Sequence, residues 1–205
     1  MPEELERGAA QPPRTLLIAC GALAREVVEL IRLNDWQHMS VTCLPAQWHN
    51  RPEKIPAGVR AKIQEARPDY ERILVLYGDC GSGGLLDKVL EEEGVERIDG
   101  PHCYAFFRGL HDFQAIAEKD PFCFYLTDYL VRHFDRLMIQ GLGLDRHPEL
   151  RDAYFGHYQR LLYLAQTRDP ELERRAEAAA DRLGLAYEYH FTGYGELGDY
   201  LAAAG

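Results

Sequence analysis

Short apolar runs that alternate with segments of helical apolar spacing constrain this chain more than any other feature of it. Thr15–Cys20, Met39–Leu44, Arg72–Tyr77 and the weaker Val95–Ile98 have the length and content of buried strands. Ala22–Arg32, a segment from near Pro56 to about Ala66, and Leu85–Glu91 space their apolar residues as helices do, and a further helix starts near Tyr104. This alternation predicts an α/β fold: a Rossmann-like three-layer sandwich whose mostly parallel sheet carries helices on both faces. Right-handed crossovers bring the carboxyl ends of such strands to one edge. In open sheets that edge is where ligands bind.

The pattern then continues less regularly. Phe122–Thr127, Arg160–Thr167 and Leu185–Phe191 read as strands. Asp128 to about Gln140, Pro148 to about Gln159 and Pro170–Leu183 read as helices, and Gly193-Tyr194-Gly195 opens a short last one. The doubled alternation fits two lobes, 14–110 and 120–205, with a cleft between them. One continuous sheet within a 14–205 domain would read the same way. Residues 1–13 are expected to form a solvated, disordered tail.

A hydrophobic share of 46% and a charged share of 27% are those of a globular protein. The formal net charge of −10 leaves no basic stripe to neutralise phosphates, which argues against nucleic-acid and anionic-membrane partners. No apolar run approaches the ~20 residues that span a bilayer. The first residues also lack the basic-then-apolar order of a signal peptide, so a cytoplasmic protein is expected. Five cysteines, an odd number, in a reducing compartment imply free thiols rather than a disulfide framework. Oligomeric state is not legible.

The thiols fall in telling places. Tyr77-Gly78-Asp79-Cys80-Gly81-Ser82-Gly83-Gly84 sets Cys80 where the third strand ends and a glycine-rich turn begins. Cys20, His49 and Cys103 each stand just past another strand. Cys20, Cys80 and Cys103 with His49 make a Cys₃His set for zinc. The three thiolates alone suit an iron–sulfur cluster with one iron open to substrate or to His49. Without a compact CxxC pair, neither a zinc finger nor a ferredoxin-like run is present. His102, next to Cys103, is a ligand or a donor behind the ligands.

Other readings compete at the same residues. Gly78, Gly81 and Gly83 let a ligand approach the main chain. Gly81–Gly84 before a helix has the makings of a phosphate cradle, but lacks the lysine and spacing of a P-loop. Cys80 is also a candidate nucleophile, with His49 or His102 as its base. Free cysteine equally packs as a small hydrophobe, and Cys43 and Cys123, inside strands, are assigned to the core. Arg25 and Glu26 are assigned to a solvated helix face, and His111, His133, His147 and His157 to solvent. Tyr77, Tyr104, Tyr125 and Tyr194 stand near element ends, as pocket walls or as sheet packing.

At Ala19-Cys20-Gly21, the His49 loop with Pro52, Tyr77–Gly83, and His102-Cys103 with Gly109, the chain resembles the family of domains of unknown function numbered 1638. The strands at Phe122–Thr127 and Leu161–Thr167 are similar too, so the likeness spans most of residues 15–201. The family's usual His-Asp-Cys stands here as Pro101-His102-Cys103, with the histidine displaced by one. Some similar proteins are encoded near corrinoid-dependent methyltransferases. The resemblance therefore implies a metal or corrinoid protein of one-carbon metabolism, acting on a small molecule or serving a corrinoid protein or methyltransferase as partner. A metal-free accessory module for such a system is the alternative.

Overall fold

The computed structural model describes residues 12–205. The tail expected over residues 1–13 lies outside this range except for Pro12 and Pro13, which are exposed.

The first sheet is built around β1 (Thr15–Cys20). Parallel partners flank it in matched register: β2 (Met39–Leu44) on one side, and β3 (Arg72–Leu76) on the other. A two-residue β4 (Glu96–Arg97) follows β3, giving the order β2-β1-β3-β4. The period-2 alternation of β1 divides the core. Leu17 and Ala19 pack with Val27 and Leu30 of α1 (Ala24–Leu33). Leu16 and Ile18 pack on the other face with Val59 and Ile63 of α2 (Ile55–Ala66), and with Leu86 and Leu90 of α3 (Leu85–Glu93). Leu17 and Ile18 are wholly buried, each worth roughly 1.5–3 kcal/mol of transfer free energy. A slip of one residue would turn the whole strand inside out.

A second, separate sheet follows: β5 (Cys123–Thr127), β6 (Arg160–Ala165) and β7 (Ala186–Phe191), all parallel, with β6 central. Among the described residues two sheets, not one, are therefore present. The helices between the sheets are α4 (Cys103–Arg108) and α5 (Leu110–Lys119), separated at Gly109, whose φ is +91°. Phe106 and Phe107 of α4 enter the first core, while Tyr104 packs against Cys123, Leu162 and Leu164 of the second sheet.

The unbroken helix expected from Asp128 to Gln140 does not form. In its place stand α6 (Asp128–Arg132) and a π-helical turn over Asp135–Gln140. Phe134, Ile139 and Leu144 all enter one core at intervals of five. An α-helix cannot bring that interval to one face, so the backbone widens. Residues 148–159 hold only a 3₁₀ turn and α7 (Arg151–Phe155). Then α8 (Pro170–Leu183), capped by Asp169, covers the second sheet. The last helix, α9 (Gly195–Ala202), crosses back: Leu197 and Leu201 are wholly buried in the first core. The two-lobe division thus needs the C-terminal helix moved from the second lobe to the first.

Candidate functional site

From β1 the chain runs to β2 on one side and through α2 to β3 on the other, so the crevice beyond β1 and β3 is a topological switch point. Cys20 ends β1, and Cys80 lies four residues past β3. The turn carrying Cys80 is fastened to the loop carrying Cys103. The Asp79 N–H donates to Gly100 O (3.1 Å), and the Cys80 N–H donates to Pro101 O (2.8 Å). Gly78 makes this approach feasible, because a Cβ there would stand 2.9 Å from Gly100 O and from His102 N. Cys80 itself has φ +49°, a left-handed conformation uncommon outside glycine and often met where function holds it.

The glycines beyond Cys80 meet an internal anion. The Asp79 carboxylate accepts from Ser82 Oγ (2.7 Å), Gly84 N (2.8 Å) and Gly83 N (3.2 Å). Burial raises the Asp79 pKa, but these donors outweigh it and hold the carboxyl below its usual range. The N–H groups of Gly83 and Gly84 that a phosphate would need are thus engaged by the protein's own carboxylate.

Above this turn is a cavity of about 350 Å³, bounded by the carboxyl ends of both sheets. Cys20, Cys80, Cys103, His49 and His102 all line it, as does Gly78; Gly81 and Gly83 do not. Burial pushes the Cys20 thiol up, and pushes Cys80 up to about 12. Burial also raises Cys103 well above the ordinary range, with Cys80 and Cys20 adding to the rise. The three thiols therefore form one electrostatically coupled group, protonated at neutral pH in the absence of a cation. Among the described residues, however, no three Cys, His, Asp or Glu side chains stand close enough together to grip a single ion as they are.

His49 keeps solvent access, yet the walls around it lower its pKa by desolvation. Its ring centroid lies 6.2 Å from that of His102. Desolvation lowers His102 as well, and His49 adds to the drop. Both imidazoles are neutral at pH 7. The buried Nδ1 of His102 has no hydrogen-bond partner among the described residues, nor has the hydroxyl of Tyr77. Tyr77 is nevertheless near enough to Cys20 to favour its thiolate. Tyr104 and Tyr125, stacked with centroids 5.3 Å apart, continue the wall into the second lobe, so both are pocket residues.

Sequence reasoning missed what the second lobe contributes. Thr127 caps α6, and the wholly buried Asp128 carboxylate accepts from Tyr163 OH (2.7 Å), Gln166 N (3.0 Å) and Thr167 Oγ1 (2.5 Å). This anchor aims Tyr129 and Leu130 at the cavity. The signal was present as a Thr-Asp pair opening a helix after a strand. Cys123 is buried as expected but also lines the cavity, whereas Cys43 is exposed on the edge strand β2, which among the described residues pairs with β1 on one side only. Glu26, assigned to solvent, is buried where α1 meets the second lobe, its Oε2 without a hydrogen-bond partner among the described residues; Arg25 is exposed. His111, His147 and His157 are exposed, while His133 is half-buried against Tyr129. Tyr194 packs at the edge of the first core rather than in the cavity. Among the described residues no helix is long and apolar enough to cross a membrane.

Residues 43–201 match a family described as "Protein of unknown function (DUF1638)". The match includes His49, Cys80, His102 and Cys103 and begins after Cys20. Comparison with the curated proteins and with the solved structures gives no match.

Proposed function

Since the chain belongs to the DUF1638 family, whose description names no activity, we propose a function from the site itself: a metal-binding protein that acts on a small molecule in the interlobe cavity. Cys20, Cys80 and Cys103 hold zinc or an iron–sulfur cluster, and His49 or His102 completes the set. The observation that carries this reading is the group of three thiols that follow three strands into one cavity, Cys80 buried and Cys20 and Cys103 partly so, with the unpartnered Nδ1 of His102 at the same cavity. Three neutral thiols are an unusual floor for a pocket; a bound cation ionises them and offsets the repulsion that three thiolates would otherwise have.

A single zinc ion draws sulfur to ~2.3 Å, a tighter ring than these side chains form. An iron–sulfur cluster spreads its thiolates over several irons and needs no such ring. Such a group supplies a Lewis acid or an electron-transfer centre. Around it, the Tyr77 hydroxyl gains in an ionised Cys20 the strong acceptor it lacks, which orients that sulfur. His49, neutral and solvent-connected, can take a proton from a bound molecule.

We place the chemistry in corrinoid-linked methyl transfer or one-carbon metabolism, on the strength of the family resemblance. A cavity of about 350 Å³ is at the small end of ligand pockets (roughly 300–1,000 Å³). A whole corrinoid would therefore belong to a partner protein. The nucleophile reading is less favoured, because a Cys80 thiol pushed up to about 12 is protonated at neutral pH.

The test is metal analysis with an absorption spectrum on the full chain, purified without oxygen and without a histidine tag. About one zinc per chain, or a brown iron–sulfide chromophore, lost in Cys80→Ser, is expected. Colourless, metal-free protein even after reconstitution overturns the reading.

A further inference from the structure

Charged residues make up 27% of this chain, yet among the described residues not one Asp, Glu, Lys or Arg lines the cavity. Its walls are instead aromatic, with Tyr104, Tyr125, Tyr129 and Tyr158 facing the thiols across the cleft. Two hydroxyls, of Tyr77 and Tyr125, and the His102 Nδ1 are buried there without hydrogen-bond partners among the described residues, and Tyr77 is only 2% exposed. An ionic ligand entering this space would lose its hydration and find no counter-charge in the walls, a cost that nothing there offsets. An uncharged ligand escapes that cost. Its apolar body gains aromatic contact, and a single polar atom satisfies groups that are otherwise unpaired.

We infer that the cavity selects uncharged small molecules, with an apolar body and one hydrogen-bonding atom, and rejects carboxylates, phosphates and ammonium ions of the same size. The inference deepens the small-molecule part of the proposed function and rests on that part alone. The selection comes from the protein walls, so it is read on the metal-stripped chain, where no metal acts as ligand or counter-charge.

Four benzyl probes of matched size test it: benzyl alcohol, benzyl mercaptan, phenylacetate and benzylamine. Their dissociation constants are measured by ligand-observed NMR on the full chain, both metal-loaded and metal-stripped. Benzyl alcohol is expected to bind both forms, and to bind the stripped form at least about tenfold more tightly than phenylacetate or benzylamine. Benzyl mercaptan matches the alcohol on stripped protein and exceeds it only where a metal is held. A failure of the metal reading thus removes the mercaptan difference and leaves the charge selection intact. Met138→Lys, which adds a cation to the half-buried wall, is expected to raise phenylacetate affinity at least about tenfold while benzyl alcohol still binds. Equal or tighter binding of either ion to the metal-stripped wild type overturns the inference, as does benzyl alcohol binding neither form. Met138→Lys binding benzyl alcohol but gaining nothing for phenylacetate would place the probe elsewhere, and overturns it too.

Discussion

Cys80 is held at φ +49° with its thiol pushed up to about 12, first by burial and then by the neighbouring Cys20. In an unfolded chain the same thiol titrates near 8.5. The folded metal-free chain therefore keeps a proton that the unfolded chain gives up. Stability from this group is fully present below about pH 8.5 and is lost as pH rises toward about 12. Thermal unfolding of metal-stripped protein should show a melting temperature that falls over this window. Cys80→Ala should flatten the fall in part, since Cys20 and Cys103 are raised as well. An unchanged slope in the variant would remove Cys80 from the coupled group. That Cys20, Cys80 and Cys103 reach one cavity was legible, because strand ends and crossover handedness alone bring them to one edge. Their separation, too wide for a single ion as they stand, was not: it depends on the φ of Cys80 and on the Gly78 approach to Gly100, neither of which has a local sequence signal.

At the scale of elements, the strands were read to within two residues, both in β1, which is buried on both faces, and in the half-exposed edge strand β2. Reading failed where tertiary demand overrides local preference, as in the π-helical turn at Asp135–Gln140. The glycine-rich turn is a subtler case. Its composition suggests an anion cradle, and an anion is there, supplied by Asp79. Asp79→Ala should therefore loosen the Cys80 turn, at a cost of about 0.5–2 kcal/mol by analogy with a lost helix cap. Because the carboxyl lies below its usual range, its contribution is present above about pH 4 and lost on acidification. Denaturant titrations of wild type and variant should converge at low pH; a constant difference would mean that the charge is not what holds the turn.

The meeting of α1 and α6 gives the opposite sign. Glu26 is raised by burial first, then by Asp128, with its Oε2 unpartnered among the described residues. A raised carboxyl keeps its full contribution only below the unfolded value near 4.3, and loses it as pH rises. Glu26→Gln should accordingly raise the melting temperature at pH 7 and leave it nearly unchanged at pH 4. No gain at pH 7 would show that the carboxylate has a partner in solution.

Taken whole, the molecule is two parallel sheets whose carboxyl ends face a common cavity, and the chain crosses between them more than once. The path from α4 through α5 carries it out, and α9 carries it back to fill the first core with Leu197 and Leu201. Gly195, at φ +50°, comes so close to α4 that a Cβ there would stand 2.3 Å from Phe107 O, and the Glu196 carboxylate accepts from the Leu110 N–H (3.0 Å). The second lobe is therefore tethered to the first at both ends, and neither should unfold alone. Trp36 and Trp48 both pack against the first lobe's cores, so tryptophan fluorescence follows that lobe, whereas circular dichroism follows both. In the wild type the two signals should fall together in denaturant, as a two-state transition requires. Leu197→Ala leaves a cavity in the first core at about 2–5 kcal/mol and weakens the return crossing without touching the second sheet. Its fluorescence transition should move to lower denaturant ahead of the circular dichroism. Coincident transitions in the variant would mean that the contacts of α4 and α6 suffice to couple the lobes, and that α9 is only a lid on the first core.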